Sequence, residues 1–300
     1  ADLANAVGHC DQSCVDFFRL GAPLYGDLEH SGIGKQKNVE PAHPVEWLKD
    51  HREPNNHKLI ASLSEDCFSK ELYEQTCLDA QLGRMTVPRP VEDCDLTSSR
   101  LCPRFSVEQG VRPDGSRKIR PIDNMSWSAA HLTCERPTKK QRKAVSINGH
   151  CAVHEAITHD HLDDLAQAMK MFVVNMQIVP GLWKADVDAA FRRVPVMPDH
   201  WWACAVAFKH QGQVWVSEHR ACPFGATASV HAWERVGALL CAIARRALKL
   251  PVFRYVDDYF APERPSLMVH AMNSFARLVR VLLGQSAKAE RKLEYGCSLA

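Results

Sequence analysis

Apolar side chains recur at helical spacing along residues 58–85, where Leu59, Leu63, Phe68, Leu72, Leu78 and Leu82 share one side and no proline intervenes. Pro88 and Pro90 end that stretch. Before it, Gly, Pro, Asn and His punctuate the first 60 residues, a pattern of loops around short helices. Two β-like runs at 105–107 and 118–122 flank Asp114-Gly115, which predicts a hairpin. A helical stretch at 161–171 leads to a short strand that begins at Leu182 and carries Asp186 near its end. Strands at 202–208 and 214–217 follow, around the turn His210-Gln211-Gly212. Residues 226–249 predict a long buried helix, with Val230, Trp233, Gly237, Leu240, Ala244 and Ala247 on one stripe. Short strands at 252–256 and 259–261 join through Asp257-Asp258, and Met268, Met272, Phe275, Val279 and Leu282 mark a last amphipathic helix ended by Gly284. Strand, hairpin, helix, hairpin, helix describes an α+β sheet with helices packed on one face.

Composition narrows this picture by exclusion. The 300 residues, 46% apolar and 24% charged, suit one large or two ordinary globular domains and rule out a disordered or fibrous chain. No apolar run reaches the ~18 residues of a spanning helix, so no membrane role is expected. The N-terminus shows no secretory pattern, and its lack of an initiator Met points to a piece of a longer or processed protein. Twelve scattered cysteines without a Cys-x-x-Cys pair read as free thiols of a reduced compartment, cytoplasm or nucleus. The net charge of +2 hides a local asymmetry, because residues 100–143 hold eleven basic side chains against four acidic ones.

Carboxylates carry the candidate chemistry. Asp186, Asp257 and Asp258 are bordered by aromatic and branched residues, where ionised carboxylates are costly unless they face water, a cation or a basic partner. If two strands of one sheet bring Asp186 beside Asp257, a divalent metal relieves the repulsion, and hard oxygen ligands suit Mg²⁺. Two such ions can clamp the attacking and leaving oxygens of a phosphoryl transfer. Taken singly, paired aspartates at a turn are ordinary turn chemistry. Other clusters read blandly. His150, Cys151, His154, His159 and His161 match no tetrahedral zinc spacing, and His9, Cys10 and Cys14 fare no better. Trp201 and Trp202 are expected on opposite faces of a strand, as packing residues.

In combination the segments resemble reverse transcriptases over about residues 95–300. Asp186-Val187-Asp188-Ala189-Ala190-Phe191 and the Arg192-Arg193-Val194-Pro195-Val196 that follows resemble their motif A. Cys222-Pro223-Phe224-Gly225, opening the long helix, looks like motif B, and Tyr255-Val256-Asp257-Asp258 is similar to motif C in full. Arg104-Phe105-Ser106-Val107 and Arg117-Lys118-Ile119-Arg120-Pro121-Ile122-Asp123 resemble the fingers strands, and Leu282-Leu283-Gly284 with Lys288 and Lys292 looks like the motif D region. Phe224 and the Arg193-Val194-Pro195-Val196 run resemble retrotransposon enzymes more than telomerases or group II intron proteins.

The resemblance implies a right-hand polymerase core, with an antiparallel palm sheet packed on helices. Residues 1–95 would be a helical and loop lead-in, 96–180 the fingers and 181–300 the palm, without a thumb or RNase H module. It implies two Mg²⁺ ions, or Mn²⁺ in substitution, held by Asp186, Asp257 and the carbonyl of Val187, with Asp258 in support. Phe191 would exclude a ribose 2′-hydroxyl, Phe224 and Gly225 would line the nascent pair, and Lys118 and Arg120 would meet the triphosphate. No second arginine aligns just after Arg120, and Lys288 and Lys292 compete for the proton-donor role of motif D. The implied partners are an RNA or DNA template with primer, deoxynucleoside triphosphates and flanking domains of a polyprotein. Two alternatives stand beside this: a catalytically inactive, domesticated domain that binds nucleic acid or protein, and an RNA-making polymerase. The three carboxylates argue against the first and the aromatic at 191 against the second.

Overall fold

Two antiparallel-rich sheets organise the chain, whose computed structural model describes residues 1–111, 115–129, 145–287 and 293–297. The strands are β1 (Gly26–Leu28), β2 (Arg89–Pro90), β3 (Leu101–Val111), β4 (Arg117–Asp123), β5 (Cys151–Val153), β6 (Gly181–Asp186), β7 (Ala205–His210), β8 (Gln213–Glu218), β9 (Phe253–Tyr255), β10 (Asp258–Glu263) and β11 (Leu293–Cys297). The longer helices are α1 (Arg52–Ser62), α2 (Ser69–Gln81), α3 (Leu162–Met176), α4 (Thr227–Arg246) and α5 (Met268–Leu283). One sheet has four antiparallel strands in the order β11-β6-β10-β9, and the other has five in the order β2-β8-β7-β3-β4, with β3 and β7 parallel. Parallel β1 and β5 pair separately. The result is a mixed α and β architecture.

Alternation decides which face of the four-stranded sheet is dry. Trp183 and Ala185 on β6 and Tyr259 and Ala261 on β10 are buried, while Lys184, Asp186, Asp258 and Phe260 face the other way. The dry face packs on α4 and α5: the Phe275 ring lies 5.6 Å from Trp183 and 4.8 Å from Tyr259, and Trp233 joins the same core. A smaller cluster of Leu59, Leu101, Ala205, Ala207 and Val216 seats α1 against the five-stranded sheet.

The first residues belong to the main core as well, since Cys14, Phe17, Leu24 and Leu48 pack into it. Their tie to α4 is electrostatic. Arg235 donates to both Asp11 oxygens, at 2.7 and 2.8 Å, and His231 Nε2 lies 2.6 Å from Glu155, whose other oxygen accepts from Ser31. Among the described residues, no helix is long and apolar enough to cross a membrane, and the cysteines are free thiols.

Several elements differ from the pattern. The helix expected over 58–85 is two, α1 and α2, because Asp66 caps the break: its carboxylate accepts from the Phe68 N–H at 2.6 Å and the Ser106 N–H at 2.9 Å. Trp201 and Trp202 sit in a short 3-10 helix, Pro198–Ala203, and the strand begins only at Ala205. Pro198 at the helix start favours that turn over an early strand. On the α4 stripe Val230 and Ala247 are exposed, and helix α3 runs five residues past the expected 171 yet buries no side chain.

Candidate active site

Register brings the acidic residues together. In the β6–β10 pairing, Asp186 stands directly opposite Asp258, so both side chains leave the same face of the sheet. Asp257 lies one residue earlier, in the turn that β9 and β10 close by pairing Tyr255 with Asp258. The Val187 N–H donates to the Asp257 carbonyl at 3.1 Å, which joins the end of β6 to the turn.

That turn is strained and firmly held. Val256 has φ of 55°, a left-handed conformation that a β-branched residue rarely adopts. Its carbonyl accepts from Trp233 Nε1 and Arg254 Nη1, each at 3.0 Å. Arg254 is itself buried and ion-paired with Glu234 of α4. Gly237 makes room for it, since a Cβ there would stand 2.5 Å from Arg254 Nη1.

Asp186, Val187, Asp188, Asp257 and Asp258 line one cleft of about 740 Å³. Lys184, two residues before Asp186 and on the same face, places Nζ 3.1 Å from Asp258 Oδ1. Partial burial works against the Lys184 ammonium, but the Asp258 contact and the charges of Glu294 and Asp186 hold its pKa above the ordinary value. The donors gathered at Asp186, Asp257 and the Val187 backbone are all hard oxygens, and like charges face each other across the strands. That donor set fits a divalent cation such as Mg²⁺.

The cleft also has basic lining. Lys118 and Arg120 of β4 line the same cleft, with Arg120 exposed. Phe191 lines the cleft as well, in the short 3-10 helix Ala190–Arg193 that follows a left-handed Ala189 with φ of 53°. The Phe191 ring meets Phe224 edge-on, with centroids 5.3 Å apart and planes at 86°. Gly225 follows with φ of 89°, and a Cβ there would sit 2.0 Å from the Asp123 carbonyl oxygen. Only glycine lets that loop pass β4 so closely. Asn148 fastens the loop, donating to the Gly225 carbonyl and accepting the Thr227 N–H at the start of α4, both at 2.8 Å.

The structure thus brings Asp186, Val187, Asp257, Asp258, Lys118, Arg120, Phe191 and Phe224 to one cleft, with Gly225 shaping its edge. Lys288 and Lys292 lie outside the described residues. Sequence reasoning missed a set of charged groups that also line the cleft: the buried Asp79, Arg104, Asp123 and Arg192, with the part-buried Arg84 beside them. Arg104, Asp123 and Arg192 sat inside the quoted motifs, but Asp79 and Arg84 carried no local signal, since only tertiary pairing marks them. Burial opposes the charge on Asp123, yet Arg104, His219 and Arg192 hold its carboxyl well below the usual range.

The histidine and cysteine clusters serve the scaffold. His154 pairs with Asp27 at 2.7 Å and His150 Nδ1 meets the Ser146 carbonyl at 3.0 Å. His9, Asp11 and Cys14 do place ligand atoms within 4.8 Å of one another. Arg235 already neutralises that Asp11, and burial, with Asp11 adding to it, pushes the Cys14 thiol up to about 12.

No protein-family model matches the chain, and no curated protein matches it in sequence. Among solved structures it is similar to the prototype foamy virus protease–reverse transcriptase, at 14% identity and a TM-score of 0.44, covering 88% of this chain and 27% of that one. It is also similar to the foamy viral protease–reverse transcriptase in complex with double-stranded DNA, at 12% identity and a TM-score of 0.49, covering 99% of this chain and 44% of the other. The chain therefore spans less than half the length of either, and at these scores the likeness adds nothing to what the cleft itself supports.

Proposed function

We propose that this chain is the fingers–palm core of an RNA-directed DNA polymerase of retrotransposon type, adding deoxynucleotides to a primer on an RNA or DNA template. The observation that carries the reading is one cleft lined together by the carboxylates of Asp186, Asp257 and Asp258, the basic Lys118 and Arg120, and Phe191. In it, the four-stranded sheet with α4 and α5 is the palm (181–300) and the β3–β4 hairpin belongs to the fingers (96–180). Residues 1–95 lead into both, and further domains flank the chain in a longer polyprotein.

Each residue has a physical task. Asp186, Asp257 and the Val187 carbonyl would hold Mg²⁺, for which Mn²⁺ could substitute; such ions would supply Lewis-acid charge for the primer hydroxyl and the pyrophosphate leaving group. Asp258, paired with Lys184, keeps the cluster's charge balanced at the sheet end. Lys118 and Arg120 neutralise the incoming triphosphate by charge-assisted hydrogen bonds. Phe191 fills the space a 2′-hydroxyl would need, and Phe224 and Gly225 bound the nascent pair. Lys288 or Lys292 completes the motif D region. Rate enhancement here comes from positioning and electrostatics.

Extension of a DNA primer on an RNA template, with Mg²⁺ or Mn²⁺, tests the reading. Wild type incorporates deoxynucleotides, chelation stops it, and Asp257→Asn abolishes it. A folded wild type that neither extends nor binds primer–template would instead identify an inactive relic.

A further inference from the structure

Five side chains, from four elements and the loop after β8, close a ring that includes Arg192 of the Phe191 turn. Arg104 of β3 donates to Asp123 of β4 at 2.6 Å, and Asp123 Oδ2 lies 3.0 Å from Nε2 of His219, just past β8. His219 Nδ1 meets Arg192 Nη1, Arg192 Nη2 lies 3.2 Å from Asp79 of α2, and Asp79 returns to Arg104 at 3.7 Å. All five are buried, and Arg84 flanks Asp79 at 3.6 Å. Arginine can only donate, so His219 Nδ1 must accept from Arg192, and the ring proton falls on Nε2, facing Asp123. Burial, reinforced by the adjacent Arg192 and Arg104 charges, holds His219 neutral with a pKa of about 4, despite Asp123 beside it. With His219 neutral, the two arginines of the ring balance its two aspartates.

The position of this ring gives it a role beyond stability. Arg192 follows Phe191 in the same 3-10 helix, and Asp123 ends the strand that carries Lys118 and Arg120. The Asp123 carbonyl is also the atom that the Gly225 loop passes so closely. The Phe191 turn and the strand that carries Lys118 and Arg120 are therefore both tied to one charge-balanced network. Resting on the polymerase reading, we infer that this ring sets the distance between the Phe191 turn and the β3–β4 strands, which makes His219 a positioning residue for nucleotide selection.

His219→Leu removes both ring contacts, whereas His219→Gln keeps one acceptor for Arg192 and one donor for Asp123. His219→Leu should raise the deoxynucleotide KM and the ribonucleotide-to-deoxynucleotide incorporation ratio by about tenfold each, with kcat far less affected. His219→Gln should restore both. Equal losses of kcat in the two variants, or unchanged KM and sugar discrimination in His219→Leu, would overturn the inference.

Hydrogen exchange on the same proteins separates this from the polymerase reading, because it needs no activity. In His219→Leu, exchange should rise together in residues 118–123 and 189–194 and stay at the wild-type level in His219→Gln. A rise confined to residues around 219 overturns the ring even if wild type extends primers. If wild type neither extends nor binds primer–template yet the coupled rise is seen, the ring stands as a positioning device and the polymerase reading falls. Should His219→Leu fail to fold, His219→Asn, which cannot span both contacts, is read by the same criteria.

Discussion

At Gly225 a single hydrogen decides the local backbone. A methyl group there would collide with the Asp123 carbonyl oxygen while the residue also keeps a φ of 89°. Gly225→Ala is expected to lower stability by about 2–4 kcal/mol, read in denaturant melts, because neither the loop nor the β4 backbone can yield without breaking the Asn148 clamp. Phe191 makes the opposite argument, for size. It is half-buried and pressed edge-on against Phe224, so trimming it opens space without leaving a polar group unpaired. Phe191→Val should raise ribonucleotide incorporation at least about tenfold while the melting temperature shifts little. Unchanged sugar discrimination would remove Phe191 from its assigned role.

At the scale of elements, the β9–β10 turn depends on a helix behind it. Trp233 and Arg254 both donate to the carbonyl of the strained Val256, so α4 holds the Asp257–Asp258 turn in a conformation the turn would not adopt alone. Trp233→Phe keeps most of the buried ring but loses that donor. It should cost about 1–2 kcal/mol in stability and weaken Mg²⁺-dependent activity, while a variant as active as wild type would show that the turn holds itself. The α1–α2 break teaches a related lesson about reading patterns. Apolar spacing ran unbroken through residues 58–85, because Leu63 and Phe68 continue the stripe on paper. The break comes from the Asp66 carboxylate binding the distant Ser106 N–H on β3, a partner that no local pattern contains.

Across the whole molecule, buried imidazoles make the fold acid-sensitive. His200 accepts the Leu24 N–H at 3.0 Å and stacks on Tyr25, and His219 accepts from Arg192; burial, the largest cause for each, lowers both to a pKa of about 4. An unfolded histidine titrates near 6.5, at about which the unfolded chain begins to bind protons that the folded chain refuses. Stability is therefore full above about pH 6.5 and falls as the pH drops toward 4. His9, His150 and His231 shift in the same direction. Below that range, protonating Asp123 removes a further contribution as the pH falls through its depressed folded value. The melting temperature should fall between pH 7.5 and 5.0, and His219→Gln, which cannot titrate, should flatten part of that slope. A slope equal to that of wild type would mean that His219 is not held neutral.

What the sequence by itself determined is the local and the linear: that α4 and α5 are helices with most of one stripe buried, the strand alternation, and the order of short motifs around Asp186, Phe224 and Asp257-Asp258. Those signals survive because periodicity and motif spacing depend on neighbours within a few residues. Only the tertiary structure decided that Asp186 opposes Asp258 in register, that Val256 is held left-handed from behind, and that Asp79, Arg104, Asp123, Arg192 and His219 close one ring. Such pairings join residues as far apart in sequence as Asp79 and Arg192. A buried charge announces its partner only when the fold has removed water from both.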